Sequence, residues 1–168
     1  FSDAIYLHGK YARNLFKEEI KYRGVNDKDI TYKSFFPPPT KFGNTPIDLP
    51  DKKIILFNHR LNNTTNWKAV VEILQDLYSK RQDFVLWMTY ENRNLSRMKD
   101  IQETEFIVNK EVPDESYGFL IENSHFAICN HRGYSTWNMA VLDTIANGAF
   151  VLVPGYPDDV YVTMFRKI

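Results

Sequence analysis

The sequence predicts an α/β fold in which a parallel sheet is covered by helices on both faces. Three observations carry that expectation. From residue 53 onward, segments with strand texture alternate with segments of helical periodicity. The strand segments are mostly continuous apolar runs, not the apolar–polar alternation of a half-exposed sheet. Two of them, IILFNHR ending at Arg60 and FAICNHR ending at Arg132, stop at the same polar tripeptide, where a buried strand would surface. In open parallel sheets ligands gather at the carboxyl ends of strands, near helix N-termini. Both Asn-His-Arg copies are therefore expected beside a ligand crevice.

In chain order, residues 3–9 (DAIYLHG) read as a short buried strand. The helix that follows places Tyr11, Leu15, Phe16 and Ile20 on one face and meets its stop at Gly24. From Lys33 to Asp51 the texture changes to five prolines without periodicity, and Pro37-Pro38-Pro39 is stiff and extended, as a domain crossing would be. KKIILFN is the next strand. Trp67, Val70, Val71, Leu74, Leu77 and Tyr78 form a helical stripe, with Thr64, Thr65 and Asn66 offering N-cap oxygens. DFVLWM is a strand, 91–104 a polar loop or helix, and EFIV a short strand. DESYGFLIEN is a helix opened by acidic residues, as the helix dipole favours. HFAIC is a strand, TWNMAVLDTIAN a helix ended by Gly148, and AFVLVP a strand; VYVTMFRKI begins a further helix.

The totals narrow the function classes. With 168 residues, 43% of them hydrophobic, the chain can bury one sizeable core. Lys+Arg and Asp+Glu both number 21, which gives nucleic-acid binding by bulk electrostatics no support. Cys129 is the single cysteine and lies in an apolar run, so a reducing, cytoplasmic setting is expected. No run approaches the ~20 apolar residues of a membrane span. The first residue is Phe, so the chain is expected to be part of a longer protein.

Among chemistry-bearing residues, Arg60 follows a strand and precedes a helix. There a guanidinium can pair bidentately with a phosphate while the helix N-terminus offers N–H groups to the same anion. The competing reading is a loop arginine in a surface ion pair. His59 and His131 read more simply as loop histidines than as catalytic groups, and no spacing completes a metal site. Asp143 sits on a helix apolar on nearly every face, where a carboxylate must be paired. It either meets ligand hydroxyls, or pairs with an arginine or caps a loop. Neither a glycine-rich dinucleotide fingerprint, nor a P-loop, nor a GxSxG elbow occurs. Trp67 and Trp87 read as core, whereas Trp137 begins a helix beside the crevice.

With these elements in order, the chain resembles the nucleotide-sugar half of GT-B glycosyltransferases of the retaining, glycogen-synthase-like group 1 type. Residues 53–80, KIILFNHRLNNTTNWKAVVEILQDLYSK, are similar to that family's strand, Gly-Arg, lysine-bearing loop and helix. Residues 111–154 resemble its second signature: helix, strand, Glu-Gly-Phe-Gly, a further Glu, Ala-x-Ala-x-Gly and an apolar strand. The resemblance implies a Rossmann-like donor domain over 52–168, a crossing at 37–51, and the end of an acceptor-side domain at 1–36. Arg60 matches the arginine that holds the donor diphosphate, with Asn58 and His59 shaping its loop. Asp143 matches the acidic residue that binds the donor ribose. Ser135 stands where the first Glu belongs, and Thr136-Trp137-Asn138 stand for Gly-Phe-Gly. The family lysine falls near Thr65 and is missing, with Lys68 as substitute. Segment 107–112, ending at Val112, matches the stretch that contacts the base.

The resemblance implies transfer of a hexose from a UDP- or GDP-linked sugar, with retention, no metal and no cofactor besides the donor. Arg60 would then supply much of the charge stabilisation of the departing diphosphate. The altered motif leaves open a catalytically inactive sugar-nucleotide-binding or interaction module, and the same fold leaves open a nucleotide-sugar epimerase. The acceptor is not fixed by these residues, and the neutral charge does not support modified DNA.

Overall fold

The structure, a computed structural model, describes residues 4–7, 9–26, 28, 30–34, 38–62, 64–89, 104–130 and 138–153. The chain forms two compact units: among the described residues, those up to Pro38 together with Asn138 make the first, and 39–130 with 139–153 the second. In the first, β1 (Ile5–Leu7), α1 (Gly9–Tyr22) and β2 (Tyr32–Ser34) make a two-stranded parallel sheet with Ile5 opposite Tyr32. Ile20 is buried, and Phe16 meets the Tyr32 ring edge-on at 6.3 Å. The stop expected at Gly24 is a Schellman turn: Val25 N–H donates to the Ile20 carbonyl and Gly24 N–H to Lys21, with Gly24 at φ 69°. A Cβ there would meet nothing within 4 Å, so the position selects glycine through backbone conformation alone. Gly24→Ala should lower stability by about 1 kcal/mol and Gly24→Asn by less, read from urea midpoints. β2 was not expected, since three residues with one aromatic carry no periodicity.

The second unit holds an α/β, Rossmann-like parallel sheet of five strands: β3 (Lys53–Phe57), β4 (Phe84–Met88), β5 (Ile107–Asn109), β6 (Phe126–Ile128) and β7 (Val151–Leu152). Their spatial order is β5-β4-β3-β6-β7. Helix α2 (Trp67–Tyr78) joins β3 to β4, α3 (Asp114–Glu122) joins β5 to β6, and α4 (Met139–Ala146) precedes β7. The chain therefore steps outward from β3 to β5, then returns to place β6 on the other side of β3. The order reverses between β3 and β6, the position where such sheets open a crevice.

Continuous apolar strands follow from burial on both faces. Ile55, Phe57, Leu86 and Met88 pack with Trp67, Val70, Leu74 and Tyr78 of α2, and Phe106 stacks on Tyr78 at 4.9 Å. Ile54, Leu56, Val85 and Trp87 turn the other way, onto Leu120 and Ile121 of α3. Trp67 and Trp87 are thus core residues, as read from the sequence. The polar segment expected at 91–104 lies, except for Thr104, outside the described residues, as does the helix expected after Pro154.

Residues 38–50 form neither helix nor strand, yet they are held along much of their length. Phe42, Ile47 and Leu49 pack against the α3-side core, and the Phe42 ring meets Tyr117 edge-on at 4.7 Å. Gly43 N–H donates to the Asp114 carbonyl at 3.0 Å and Thr45 N–H to Glu115 at 2.8 Å, while Gly118 N–H donates to Gly43 at 3.0 Å. This strap is therefore part of the unit's wall. No described helix is long and apolar enough to cross a membrane.

Candidate functional site

The loop leaving β3 alternates in and out. His59 is buried, edge-on to the Phe57 ring at 5.4 Å, and Leu61 belongs to the α2-side core. Arg60, between these two anchors, is exposed and its guanidinium has no ion pair or hydrogen bond among the described residues. Its carbonyl is fixed by the Thr65 hydroxyl at 2.6 Å and the Asn62 amide at 3.0 Å. The Asn62 side-chain oxygen in turn accepts from the Thr64 and Thr65 amides at 3.0 and 3.1 Å. The backbone under Arg60 is thus braced on both sides, and the cation is directed outward.

The expected N-cap of α2 is corrected. Asn66 takes the cap position in a left-handed conformation, φ 49°, without a side-chain capping bond, and Thr65 spends its hydroxyl on the Arg60 carbonyl. The local competition between cap and turn favours the turn because Thr65 is buried, 3% exposed, where its oxygen must find a near partner. Lys68, in the first turn of α2, is exposed with Nζ 5.5 Å above the Trp67 ring.

On α4, Asp143 is buried and accepts from the Thr40 backbone amide at 2.6 Å. One turn on, the Asn147 side chain donates to the Thr40 carbonyl at 2.9 Å and accepts from the Phe42 amide at 3.3 Å. Lys41 donates to the Ala146 carbonyl at the helix end. Of the readings open for Asp143, the observed contact is the loop-capping one. Burial raises its carboxyl above the ordinary aspartate range, with the Thr40 amide and hydroxyl acting against that rise. The folded protein therefore holds this proton more tightly than the unfolded chain. The associated stability is present below the unfolded value and is lost as pH climbs through the raised one. Wild type should lose urea resistance relative to Asp143→Asn as pH rises from below the ordinary aspartate value through the raised one; parallel curves would show that the carboxylate is not buried as described.

A polar network that sequence reasoning missed lies where β3 and β4 end. Asn58, the residue after β3, donates through Nδ2 to Thr144 Oγ1 at 2.8 Å. Thr144 is fully buried and passes its own proton to the Ala140 carbonyl at 2.5 Å. Tyr117, on α3, hydrogen-bonds with the side chains of Asn58 and Thr89. Burial raises its phenol pKa; those hydrogen bonds oppose the rise and the charges of Asp143 and Asp114 add to it. A sequence signal existed only for Asn58, as the polar residue closing an apolar strand. Tyr117 and Thr144 sit within apolar helical stripes and read as core.

The structure thus brings Asn58, Thr144, Tyr117 and Asp143 into one neighbourhood at the carboxyl edge. Val112 is in the core. Asn138 is buried just ahead of α4. Ser135, Thr136, Trp137 and His131 lie outside the described residues. Among the described residues no cluster of His, Cys, Asp or Glu could hold a metal ion.

The class defined by this geometry is an α/β unit whose parallel sheet reverses its strand order between β3 and β6. Two solved structures share this fold over most of the chain. One is a GtfA/B complex, with a TM-score of 0.64 and 9% identity, matching 90% of this chain and 30% of that one. Another is the pneumococcal O-GlcNAc transferase GtfA in complex with UDP and GlcNAc, with a TM-score of 0.59 and 10% identity, over 94% of this chain and 31% of that one. The likeness is one of fold, and the chain spans about 30% of the length of these structures. No family model and no curated protein matches the chain.

Proposed function

We propose that the chain is the donor-binding part of a glycosyltransferase that moves a hexose from a UDP- or GDP-linked sugar, with retention and without a metal. The observation that carries this reading is Arg60, directed outward at the switch point by buried neighbours on either side. An exposed guanidinium on a braced loop, just ahead of a helix N-terminus, suits a diphosphate. In this reading residues 1–36 end an acceptor-side domain, 37–51 cross to the donor domain, and Ser135 to Asn138 meet the sugar and phosphates. Lys68 adds charge near the diphosphate. Asp143 serves ribose recognition indirectly, by holding Thr40 and the strap. A similar fold solved with UDP and GlcNAc supports the donor class. In this reading the protein is cytoplasmic.

A second reading, an inactive sugar-nucleotide-binding module, is favoured by one feature of the loop. Thr65 occupies the place of the family lysine and is consumed in bracing the Arg60 carbonyl. Product analysis with a donor labelled in the sugar separates the readings. Labelled glycoside or free hexose supports transfer, an isomerised nucleotide sugar supports an epimerase, and saturable binding with unchanged donor supports the inert module.

A further inference from the structure

β3 and β6 are neighbours, but their pairing runs only from Ile55 opposite Phe126 to Leu56 opposite Ala127. Beyond that point Asn58 links the two sides of the switch point through side-chain contacts to α4. Its Nδ2 meets Thr144 Oγ1 at 2.8 Å and lies 3.5 Å from the Ala140 carbonyl. Both contacts are on α4, the helix that follows β6, whereas Asn58 is two residues from Arg60 on the β3 side.

We propose that the Asn58–Thr144 bond makes Asn58 a positioning residue for a nucleoside diphosphate, setting where the Arg60 loop stands relative to α4. This inference rests on the donor-binding reading. The chemistry of the tie is specific. The Ala140 carbonyl only accepts, so the group Asn58 turns toward it must be the amide NH₂. Thr144 receives that amide and sends its own proton to Ala140, so its hydroxyl is used in both senses. A carboxylate at position 58 has no proton to donate and would bring a third negative charge to the neighbourhood of Asp143 and Asp114, both of which act on Tyr117. The amide is the group that fits. Thr144 is fully buried, so loss of the bond removes one of its hydroxyl's two partners and unties the loop from α4.

The test is calorimetric titration of the whole protein with UDP and with GDP. Asn58→Ala and Thr144→Val should each weaken the nucleotide that binds by about fivefold or more, and Thr144→Ser, which keeps the hydroxyl, should restore binding to within about twofold. In an Arg60→Ala background, Asn58→Ala should change affinity no further, because its effect runs through Arg60. A merely structural role would move the urea midpoint and leave the two substitutions additive in affinity. Should Asn58→Ala fail to fold, the Thr144 pair carries the test alone. Wild-type affinity in Thr144→Val alongside weakened Arg60→Ala overturns the inference while sparing the donor reading. Equal affinity in wild type and Arg60→Ala removes both.

Discussion

Arg60→Ala is expected to weaken binding of a UDP- or GDP-linked sugar by about ten- to a hundredfold. A charge-assisted contact contributes about 1.5–3 kcal/mol, and about 1.4 kcal/mol is a factor of ten. The side chain is exposed and has no bond among the described residues, so its loss should leave folding intact. A drop in affinity with an unchanged urea midpoint therefore isolates a ligand contact. His59 and Leu61 give the complementary control. Both are buried, 7% and 3% exposed, so substitutions there should lower stability as well as affinity. Equal donor affinity in wild type and Arg60→Ala would leave the crevice without its anion anchor.

Gly43→Ala should unfold the second unit at lower urea, by about 1–3 kcal/mol. A Cβ on Gly43 would stand 2.5 Å from the Glu115 carbonyl oxygen and 2.7 Å from its Cα, and backbone cannot step aside as a side chain can. Across the contact, a Cβ on Gly118 would meet the Gly43 carbonyl oxygen at 2.8 Å. Neither glycine is among those with positive φ, so space and not conformation selects them. The two substitutions clash at one contact, so the double variant should cost less than the sum. Additive losses would mean that strap and α3 do not touch here. Displacing the strap would also move Thr40 from Asp143 and Phe42 from Tyr117, which links this packing to the crevice.

The fold was legible where local pattern and burial agree. Ile54 to Phe57 and Phe84 to Met88 are buried throughout, and an apolar run is the direct trace of a strand with both faces covered. The α2 stripe was legible in the main: Trp67, Val70, Leu74 and Tyr78 are buried and Val71 is half-buried, whereas Leu77, expected in the same stripe, is exposed. Arg60 could be singled out because it combines charge with a strand end. What a single sequence hides is pairing between distant positions. Asp143 reads as an expensive carboxylate, but nothing in its own helix points to the Thr40 amide. Gly43 and Gly118 are ordinary until they are seen back to back. Tyr117 follows an acidic helix start and reads as an aromatic core residue, yet its hydroxyl reaches Asn58 and Thr89. The cap of α2 was misread because three candidate oxygens compete, and burial of Thr65 decides between them.

In the proposed reading a nucleoside-diphosphate sugar is held beside Arg60, at the carboxyl edge where the strand order reverses. A thermal-shift screen of the whole protein against UDP- and GDP-linked hexoses tests it most directly, since a ligand that binds only the folded state raises the melting temperature with concentration. The expected result is a saturable rise with one base series, reproduced in part by the bare diphosphate and lost in Arg60→Ala. No rise with any nucleotide sugar at millimolar concentration, or an equal rise in Arg60→Ala, would contradict it.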